Sequence, residues 1–236
     1  MPGSRSFDEE QELHWGATAN RRPHDHPVVR AFAGRRVEFI ARLFGGWRPA
    51  TALDVGCGDG FGMWHMRSLA GRIRGCDRSL TMLQANPERS SVDRADAYAL
   101  PYADARFELV YSWELLHHIG QPERVVAEMT RVASRGVLLC EPNCLNPAMA
   151  LFGVGNRHER GLLRFPAWRT PQLLREAGLT NVRGFSGGWF TPNNTPAWLA
   201  RPLARFPFRL PVIGLYVIAL GFKPSSVATT PPATRA

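Results

Sequence analysis

The stretch that most constrains the fold is TALDVGCGDG, residues 51–60. Its apolar half predicts a buried strand, and the glycines at every second position predict a tight turn after it. Because Gly56, Gly58 and Gly60 lack a Cβ atom, the chain can turn through positive φ and let a ligand lie against the backbone. A helix is predicted from Phe61 onward, and its first N–H groups would face that ligand. The stretch therefore predicts a binding turn resembling a phosphate loop.

The acid inside this motif argues against a dinucleotide site. The pattern here is Asp-x-Gly-x-Gly-x-Gly, whereas dinucleotide loops read Gly-x-Gly-x-x-Gly. Asp54 precedes the glycines, and a carboxylate there repels a pyrophosphate but suits a ligand with an amino group. A second apolar strand, residues 73–76, ends at Asp77, where nucleotide folds place a ribose-binding acid. The two acids together favour a nucleoside ligand that carries a cationic group.

Strands and helices alternate along the first two thirds of the chain. This order predicts a parallel sheet with helices on both faces, in which ligands bind beyond the carboxyl ends of the strands. The predicted strands cover residues 51–55, 73–76, 92–95, 107–112 and 136–140.

At these motifs the sequence resembles the class I S-adenosylmethionine-dependent methyltransferases, especially the small-molecule branch with UbiE-like and type 11 domains. The resemblance extends over residues 35–142. It implies an α/β fold with a Rossmann-like, seven-stranded, mostly parallel sheet, an antiparallel C-terminal strand and an N-terminal helical cover. Strands at 182–190 and 212–222 would complete the sheet as an antiparallel hairpin.

The resemblance also implies a division of the chain. Residues 1–34 are expected to form a cover segment, and residues 35–223 the methyltransferase domain. A substrate-side insertion is expected near residues 191–211, because that stretch is too long for an ordinary hairpin loop. Residues 224–236 are expected to be a disordered tail.

The cofactor implied by the resemblance is S-adenosylmethionine, with S-adenosylhomocysteine as product. The family contacts the amino acid part of the cofactor with residues that correspond here to Asp54, Gly56, Cys57 and Gly58. Asp77 would accept hydrogen bonds from both ribose hydroxyls, with Arg78 packing near the adenine. Asp96 and Ala97 would contact the adenine amino group. Ser112 and Trp113 would face the methyl donor, since an aromatic face stabilises a sulfonium.

His117 and Glu141 are the candidate catalytic bases. Methyl transfer to a hydroxyl requires removal of a proton, and imidazole titrates near neutral pH. Alignment of the reacting atoms also supplies much of the rate, so a purely structural histidine stays open. No metal is expected at His117 and His118, because adjacent helical residues point apart and no third ligand stands at metal spacing.

A substrate pocket is predicted from aromatic and polar residues: His14, Trp15, His118, Asn143 and Trp189. The expected reaction is methyl transfer to a small, aromatic or partly apolar molecule, most readily at oxygen, as in natural-product biosynthesis. Three alternatives stay open: a lipid or quinone methyltransferase, an RNA methyltransferase, and a cofactor-binding protein without methyl transfer. Against the RNA alternative, YSWELL stands where an Asn-Pro-Pro-Tyr motif would be expected.

Composition adds expectations about partners. The formal net charge is +9, but Lys223 is the only lysine, which fits a bias of a GC-rich bacterial genome better than a nucleic-acid surface. The most apolar run, residues 210–222, is shorter than the ~20 residues a spanning helix needs. A buried strand is expected there, with an interfacial segment flanked by Arg201, Arg205 and Arg209 as the alternative. Peripheral membrane contact and oligomeric state stay open.

The N-terminal residues contain no apolar core of a signal peptide, so a cytoplasmic protein is expected. The four cysteines form no Cys-x-x-Cys pair, which indicates small buried side chains in a reducing compartment.

Overall fold

The computed structural model describes residues 6–17, 22–189, 191, 195–206 and 208–224. Its centre is a seven-stranded sheet in the order β3-β2-β1-β4-β5-β7-β6, in which β1 to β5 run parallel and β7 runs antiparallel to both of its neighbours. This confirms the predicted fold class. The strands are β1 Thr51–Val55, β2 Arg72–Asp77, β3 Val92–Arg94, β4 Phe107–Trp113, β5 Ala133–Pro142, β6 Thr180–Gly187 and β7 Tyr216–Phe222.

Helices cover both faces of the sheet. They are α1 Phe7–Ala17, α2 Pro27–Phe44, α3 Phe61–Met66, α4 Leu80–Ala85, α5 Pro122–Val132, α6 Pro147–Gly155, α7 Arg169–Glu176 and α8 Ala197–Arg205. Short 3-10 helices occupy Arg89–Ser91, Leu116–His118 and Arg157–Arg164.

Alternation along β1 divides the core into two layers. Leu53 and Val55 point to the face that α5 and α7 cover, whereas Ala52 points to the face that α2 covers. Successive residues of a strand face opposite sides of the sheet, so both layers are apolar only if the strand is apolar throughout. Asp54 is the exception in β1, and it is buried.

The N-terminal segment is more regular than its polar sequence indicates. α1 begins at Phe7, within the segment predicted to form a helical cover. α2 begins where His26 caps the helix, its Nδ1 accepting the Val28 N–H at 3.2 Å, with Pro27 in the first turn. α2 ends at Gly45, whose φ is 58°.

The C-terminal third departs from the predicted boundaries. β7 begins at Tyr216 rather than at residue 212, because residues 211–215 form a turn. The predicted insertion contains α8, and its residues 192–194 and 207 lie outside the described residues, as do residues 225–236 of the predicted tail. No described helix has both the length and the apolar character needed to cross a bilayer.

Candidate functional site

A cavity of about 660 Å³ opens at the carboxyl ends of the central strands. β1 lies between β2 and β4, so this is where the sheet topology switches direction. Residues 54–98 contribute one side of the cavity, which we call the motif wall. The other side, the assembled wall, comes from residues 8–15, 113–119, 148–159 and 215–216.

The glycine loop of the motif wall is tied directly to β2. The backbone N–H groups of Gly56 and Cys57 both donate to the carbonyl oxygen of Cys76, at 2.8 and 3.0 Å. Gly56 has φ 73°, and a Cβ there would lie 2.6 Å from Leu115. Glycine at this position is therefore required by the turn and by packing, and it leaves the loop backbone open to the cavity.

Asp77 lies at the end of β2 and faces the cavity. Its Oδ2 accepts the Gly58 N–H at 2.9 Å and its Oδ1 accepts the Ser79 N–H at 2.8 Å. Burial raises the pKa of this carboxyl, while the backbone N–H groups oppose that shift. The two backbone bonds fix the carboxylate and leave further lone pairs for a diol.

Asp54 is 1% exposed, and no hydrogen bond of normal geometry reaches its carboxylate oxygens from the described residues, although the Tyr111 hydroxyl and the Met63 N–H lie near enough to lower its pKa. Burial raises its pKa well above the usual range. Buried polar atoms are nearly always paired in native proteins, so an unpaired carboxylate on a cavity wall suggests a ligand group that completes it. An ammonium group fits this requirement in charge and in hydrogen bonding.

The far end of the motif wall contains Asp96 and Ala97. Asp96 is exposed, and its Oδ1 accepts the Tyr98 N–H at 2.9 Å. Arg78 also lines the cavity, where it pairs with Glu12 of α1 at 3.1 Å. The motif wall thus presents an open backbone loop, an unpaired acid, a fixed acid and an exposed acid in order. These features fit the amino acid, ribose and adenine parts of S-adenosylmethionine.

His117 is the central residue of the assembled wall. Its Nδ1 lies 2.8 Å from Glu141, which also accepts the N–H groups of Leu115, Leu116 and His117. Its Nε2 lies 3.5 Å from Glu159. Burial lowers the pKa of His117, but the two carboxylates raise it by more, to about 9. His117 is thus a buried imidazole held between two acids.

His117, His118 and Glu159 form a group whose ligand atoms lie within 4.8 Å of one another. The prediction that no third ligand residue lies near the histidine pair is therefore wrong, because Glu159 approaches it from a 3-10 helix that is distant in sequence. The two rings also lie close together, with centroids 3.9 Å apart, rather than pointing away from each other. Each ring has a side-chain partner at Nδ1: Glu141 for His117 and Gln11 for His118. The absence of a metal stays a prediction.

α1 closes the cavity, and most of its contacts were not foreseen from the sequence. Asp8 accepts the Gly120 N–H at 2.7 Å and the Tyr98 hydroxyl at 3.0 Å. Gln11 donates to the carbonyl of His158 at 2.8 Å. His14 and Trp15, which were predicted as substrate residues, line the cavity together with His118. Asp8 and Gln11 give no sequence signal, because polar residues on a short helix usually face solvent.

A buried ion pair behind the assembled wall was also missed. The guanidinium of Arg36 is fully buried, donates to Glu114 at 2.7 Å and lies over the rings of Phe32 and Tyr216. Glu114 lines the cavity and has φ 60°, an uncommon conformation for a residue other than glycine. The sequence pattern of α2 does not indicate that Arg36 is buried, since arginines on an amphipathic helix usually face solvent.

Four predicted site residues do not line the cavity: Ser112, Glu141, Asn143 and Trp189. Ser112 is fully buried within β4, and Glu141 lies behind His117. Asn143 donates to the carbonyls of Val212 and Gly214 at 2.6 and 2.8 Å, which fixes the turn before β7. Trp189 is 43% exposed beside Phe206. The remaining predicted site residues all line the cavity.

Comparison with known proteins supports this interpretation of the motif wall. Residues 53–140 match the family model described as a methyltransferase domain. A norajmaline N-methyltransferase of Rauvolfia serpentina is 33% identical over 99 residues, which are 38% of this chain and 34% of that protein. A malonyl-[acyl-carrier protein] O-methyltransferase of Pseudescherichia vulneris is 39% identical over 107 residues, 39% of this chain and 42% of that protein. The chain thus spans less than half the length of these curated relatives.

A solved structure shows the same fold over most of the chain. It is a S-adenosylmethionine-dependent methyltransferase of Thermotoga maritima described as a possible histamine N-methyltransferase, with a TM-score of 0.63 and 17% identity. The match covers 84% of this chain and 92% of that one. Residues 53–140 are therefore a methyltransferase domain, and the chain carries them on the fold of the class I S-adenosylmethionine-dependent methyltransferases, the family predicted from its motifs.

Proposed function

We propose that this chain transfers a methyl group from S-adenosylmethionine to a hydroxyl of a small, aromatic or partly apolar molecule. The observation that carries the proposal is His117, which lies in the cavity wall between Glu141 and Glu159, opposite the motif wall. The motif wall supports binding of the cofactor, and the assembled wall supports removal of a proton from an acceptor.

On the motif wall, Asp54 would hold the ammonium group of the cofactor and Asp77 its ribose hydroxyls. The bound cofactor supplies an electrophilic methyl group. Trp113 of the assembled wall lines the cavity, with its ring edge-to-face against Phe61 of the motif wall. Its aromatic face suits a neighbouring cation. These residues bind and orient, and orientation alone accounts for much of the rate in such a reaction.

On the assembled wall, His117 would accept the proton of the acceptor hydroxyl at Nε2. Glu141 orients the ring through Nδ1, which makes Glu141 a positioning residue. The pKa of His117 is raised to about 9 by the two carboxylates, so the neutral form that can act as a base is populated increasingly as pH rises toward 9. An aromatic amine is neutral at this pH and requires no base before methyl transfer, so a base in the cavity favours a hydroxyl acceptor over an aniline.

The cavity lining includes apolar side chains outside the motif wall. They are Met149, Phe152, Leu215 and Tyr216. A pocket with apolar side chains beside the His117 imidazole suits a small molecule with a reactive hydroxyl on an apolar body.

The test is transfer of a labelled methyl group to matched panels of phenols and anilines. We expect transfer to phenols, and we expect His117→Gln to reduce it about 10²–10⁴-fold, the usual contribution of a general base. Binding of S-adenosylhomocysteine should not change. His65→Gln is the matched control, because His65 is a largely buried histidine outside the cavity. Efficient transfer to anilines with no effect of His117→Gln would overturn the proposal.

A lipid or quinone acceptor is the second candidate. Phe152 both lines the cavity and is 41% exposed, so an apolar tail could extend from the pocket to the surface. Phenols with alkyl tails of increasing length separate the two candidates. A value of kcat/KM that rises with tail length favours the lipid or quinone, and one that falls favours the compact acceptor.

A further inference from the structure

An exposed apolar surface lies at the mouth of the cavity. Its residues, which we call the apolar rim, are Leu151, Phe152 and Val154 of α6 together with Val212 and Ile213. Their exposed fractions range from 41% for Phe152 to 74% for Leu151. α6 reads PAMALFGVG and contains no charged or hydrogen-bonding side chain. A surface helix of a soluble protein normally has a polar face, so α6 is unusual.

The two parts of the rim are held together as one surface. Asn146, at the start of α6, donates to the carbonyl of Ile213 at 2.8 Å. Asn143 donates to the carbonyl of Val212 at 2.6 Å. These side-chain bonds fix the turn at residues 211–213 beside α6. The rim is therefore an ordered feature of the fold.

Backbone strain in the rim indicates a role beyond folding. Val212 has φ 68°, in the left-handed region that β-branched residues avoid. Such a conformation is unfavourable and persists only where the surroundings impose it. The strained residue is nevertheless 57% exposed, so it gains little from burial. Folding stability alone does not explain an exposed valine in this conformation.

Arginines are the charged residues of the last helix, α8, and of the segment between it and the turn of the rim. α8 places Trp198, Arg201 and Arg205 at positions i, i+3 and i+7 of its exposed face, and Arg209 follows near the turn. Trp198 is 76% exposed. No acidic residue follows Glu176 in the sequence. Met149 of α6 and Ala200 of α8 belong to the same core cluster, together with Phe32 and Ala33 of α2.

We propose that the apolar rim and the arginines of α8 form a docking surface for an anionic phospholipid bilayer. Aliphatic and aromatic side chains would enter the headgroup boundary, while the arginines would contact lipid phosphates. A protein partner is a poorer fit, because the rim offers no hydrogen-bonding side chain and the charged side chains of α8 and Arg209 all have one sign. Arginines near an anionic leaflet each add to the attraction, as charge complementarity requires. The inference does not depend on methyl transfer.

The test is co-sedimentation of the full chain with vesicles. One set contains phosphatidylcholine alone, and the other contains equal parts of phosphatidylcholine and phosphatidylglycerol. We expect binding to the anionic vesicles that weakens as salt is raised, and little binding to the neutral ones. Leu151→Asp/Ile213→Asp should lower the partition coefficient about tenfold or more, since two inserted apolar side chains are replaced by charges. Leu80→Asp, an exposed leucine on α4, is the matched control and should bind as the wild type does.

A second variant separates the contribution of the arginines to vesicle binding from that of the apolar side chains. Arg201→Gln/Arg205→Gln should reduce binding to anionic vesicles and remove most of its salt dependence. All variants should retain the melting temperature and S-adenosylhomocysteine affinity of the wild type, because the substituted side chains are exposed. The proposal is overturned by equal binding to both vesicle types or by absence of binding. It is also overturned if light scattering shows a dimer that Leu151→Asp/Ile213→Asp dissociates, since the rim would then be an interface between copies.

Discussion

The motif wall comes from one continuous stretch, residues 54–98, whereas the assembled wall combines segments spread between residues 8 and 216. On the motif wall each functional side chain follows a strand end, and parallel strands bring those ends to one edge of the sheet. On the assembled wall the central histidine depends on Glu141 from β5 and on Glu159 from a 3-10 helix. The comparison teaches that cofactor recognition here is a local property of the chain, while the acceptor pocket depends on tertiary packing.

Damage to that packing should therefore affect the two walls unequally. Gly161 provides the sharpest case, because a Cβ there would lie 1.7 Å from the carbonyl oxygen of His117. Gly161→Ala must push the 3-10 helix Arg157–Arg164, and Glu159 with it, away from His117. We expect methyl transfer to fall about 10²-fold, the usual result of a small misplacement in an active site. S-adenosylhomocysteine affinity, measured by calorimetry, should change less than about threefold.

Gly155→Ala is the matched control, since nothing lies within 4 Å of a Cβ at that position. It should leave both activity and cofactor affinity close to those of the wild type. An equal loss of cofactor affinity and of activity in Gly161→Ala would contradict the separation of the two walls.

A substitution on the motif wall tests the other half of the comparison, namely whether cofactor affinity depends on that wall. Asp77→Asn replaces a carboxylate that two backbone N–H groups already hold, and an amide cannot accept both ribose hydroxyls in the same way. We expect S-adenosylhomocysteine to bind about tenfold more weakly or worse, as for loss of hydrogen bonds to a charged group. Asp104→Asn is the control, because Asp104 is an exposed acid outside the cavity. Unchanged affinity in Asp77→Asn would mean that this acid does not contact the cofactor.

The same comparison explains what the sequence could predict. Asp54 and Asp77 stand at fixed distances from glycines and apolar runs, so their meeting at one edge follows from β-α-β geometry. Glu159 lies 42 residues beyond His117, in a segment without strand or regular helix pattern. Its approach to His117 depends on how α6 and the following 3-10 helix pack, which is a property of the folded core. Glu159 lines the cavity and was not predicted, whereas Asn143 was predicted and does not line the cavity. A polar residue after a strand resembles a ligand-binding residue even when it only fixes a turn.

The third prediction concerns the pH dependence of kcat/KM, because two carboxylates flank His117. The pKa of His117 is raised to about 9, so the imidazole is protonated at neutral pH in the free protein. A general base must be neutral, so kcat/KM should rise with pH and level off above about 9. Glu159→Gln removes one of the two acids and should shift this midpoint toward the ordinary value near 6.5. A midpoint that does not move would exclude His117 as the base.

The free energy of unfolding should decrease over the same pH range in which kcat/KM increases. A histidine whose folded pKa exceeds its unfolded value of about 6.5 stabilises the fold fully below that pH, and the contribution is lost as pH rises through about 9. The lost stability is at most about 3 kcal/mol for this shift. The melting temperature of the wild type should fall between pH 6.5 and 9, and that of Glu159→Gln should fall less. Parallel changes in the two proteins would contradict the role of Glu159.

The smallest expected effect concerns the unpaired acid of the motif wall. Burial raises the pKa of Asp54 well above its usual range, so its ionised form destabilises the free protein at neutral pH. This penalty is absent below the unfolded pKa of about 3.9 and grows as pH rises above it. Asp54→Asn removes the charge with little change in shape. The melting temperature at pH 7 should rise by about 2–4 °C for each kcal/mol gained, and the gain should vanish near pH 4.

The same substitution should weaken S-adenosylhomocysteine binding, because an amide attracts an ammonium less than a carboxylate does. Stability and cofactor affinity would then change in opposite directions at one residue, as expected where a binding site retains a group that the empty fold does not favour. Asp104→Asn should produce neither change. A lower melting temperature in Asp54→Asn would mean that the carboxylate stabilises the fold, and the ammonium partner inferred from its unpaired oxygens would lose its support.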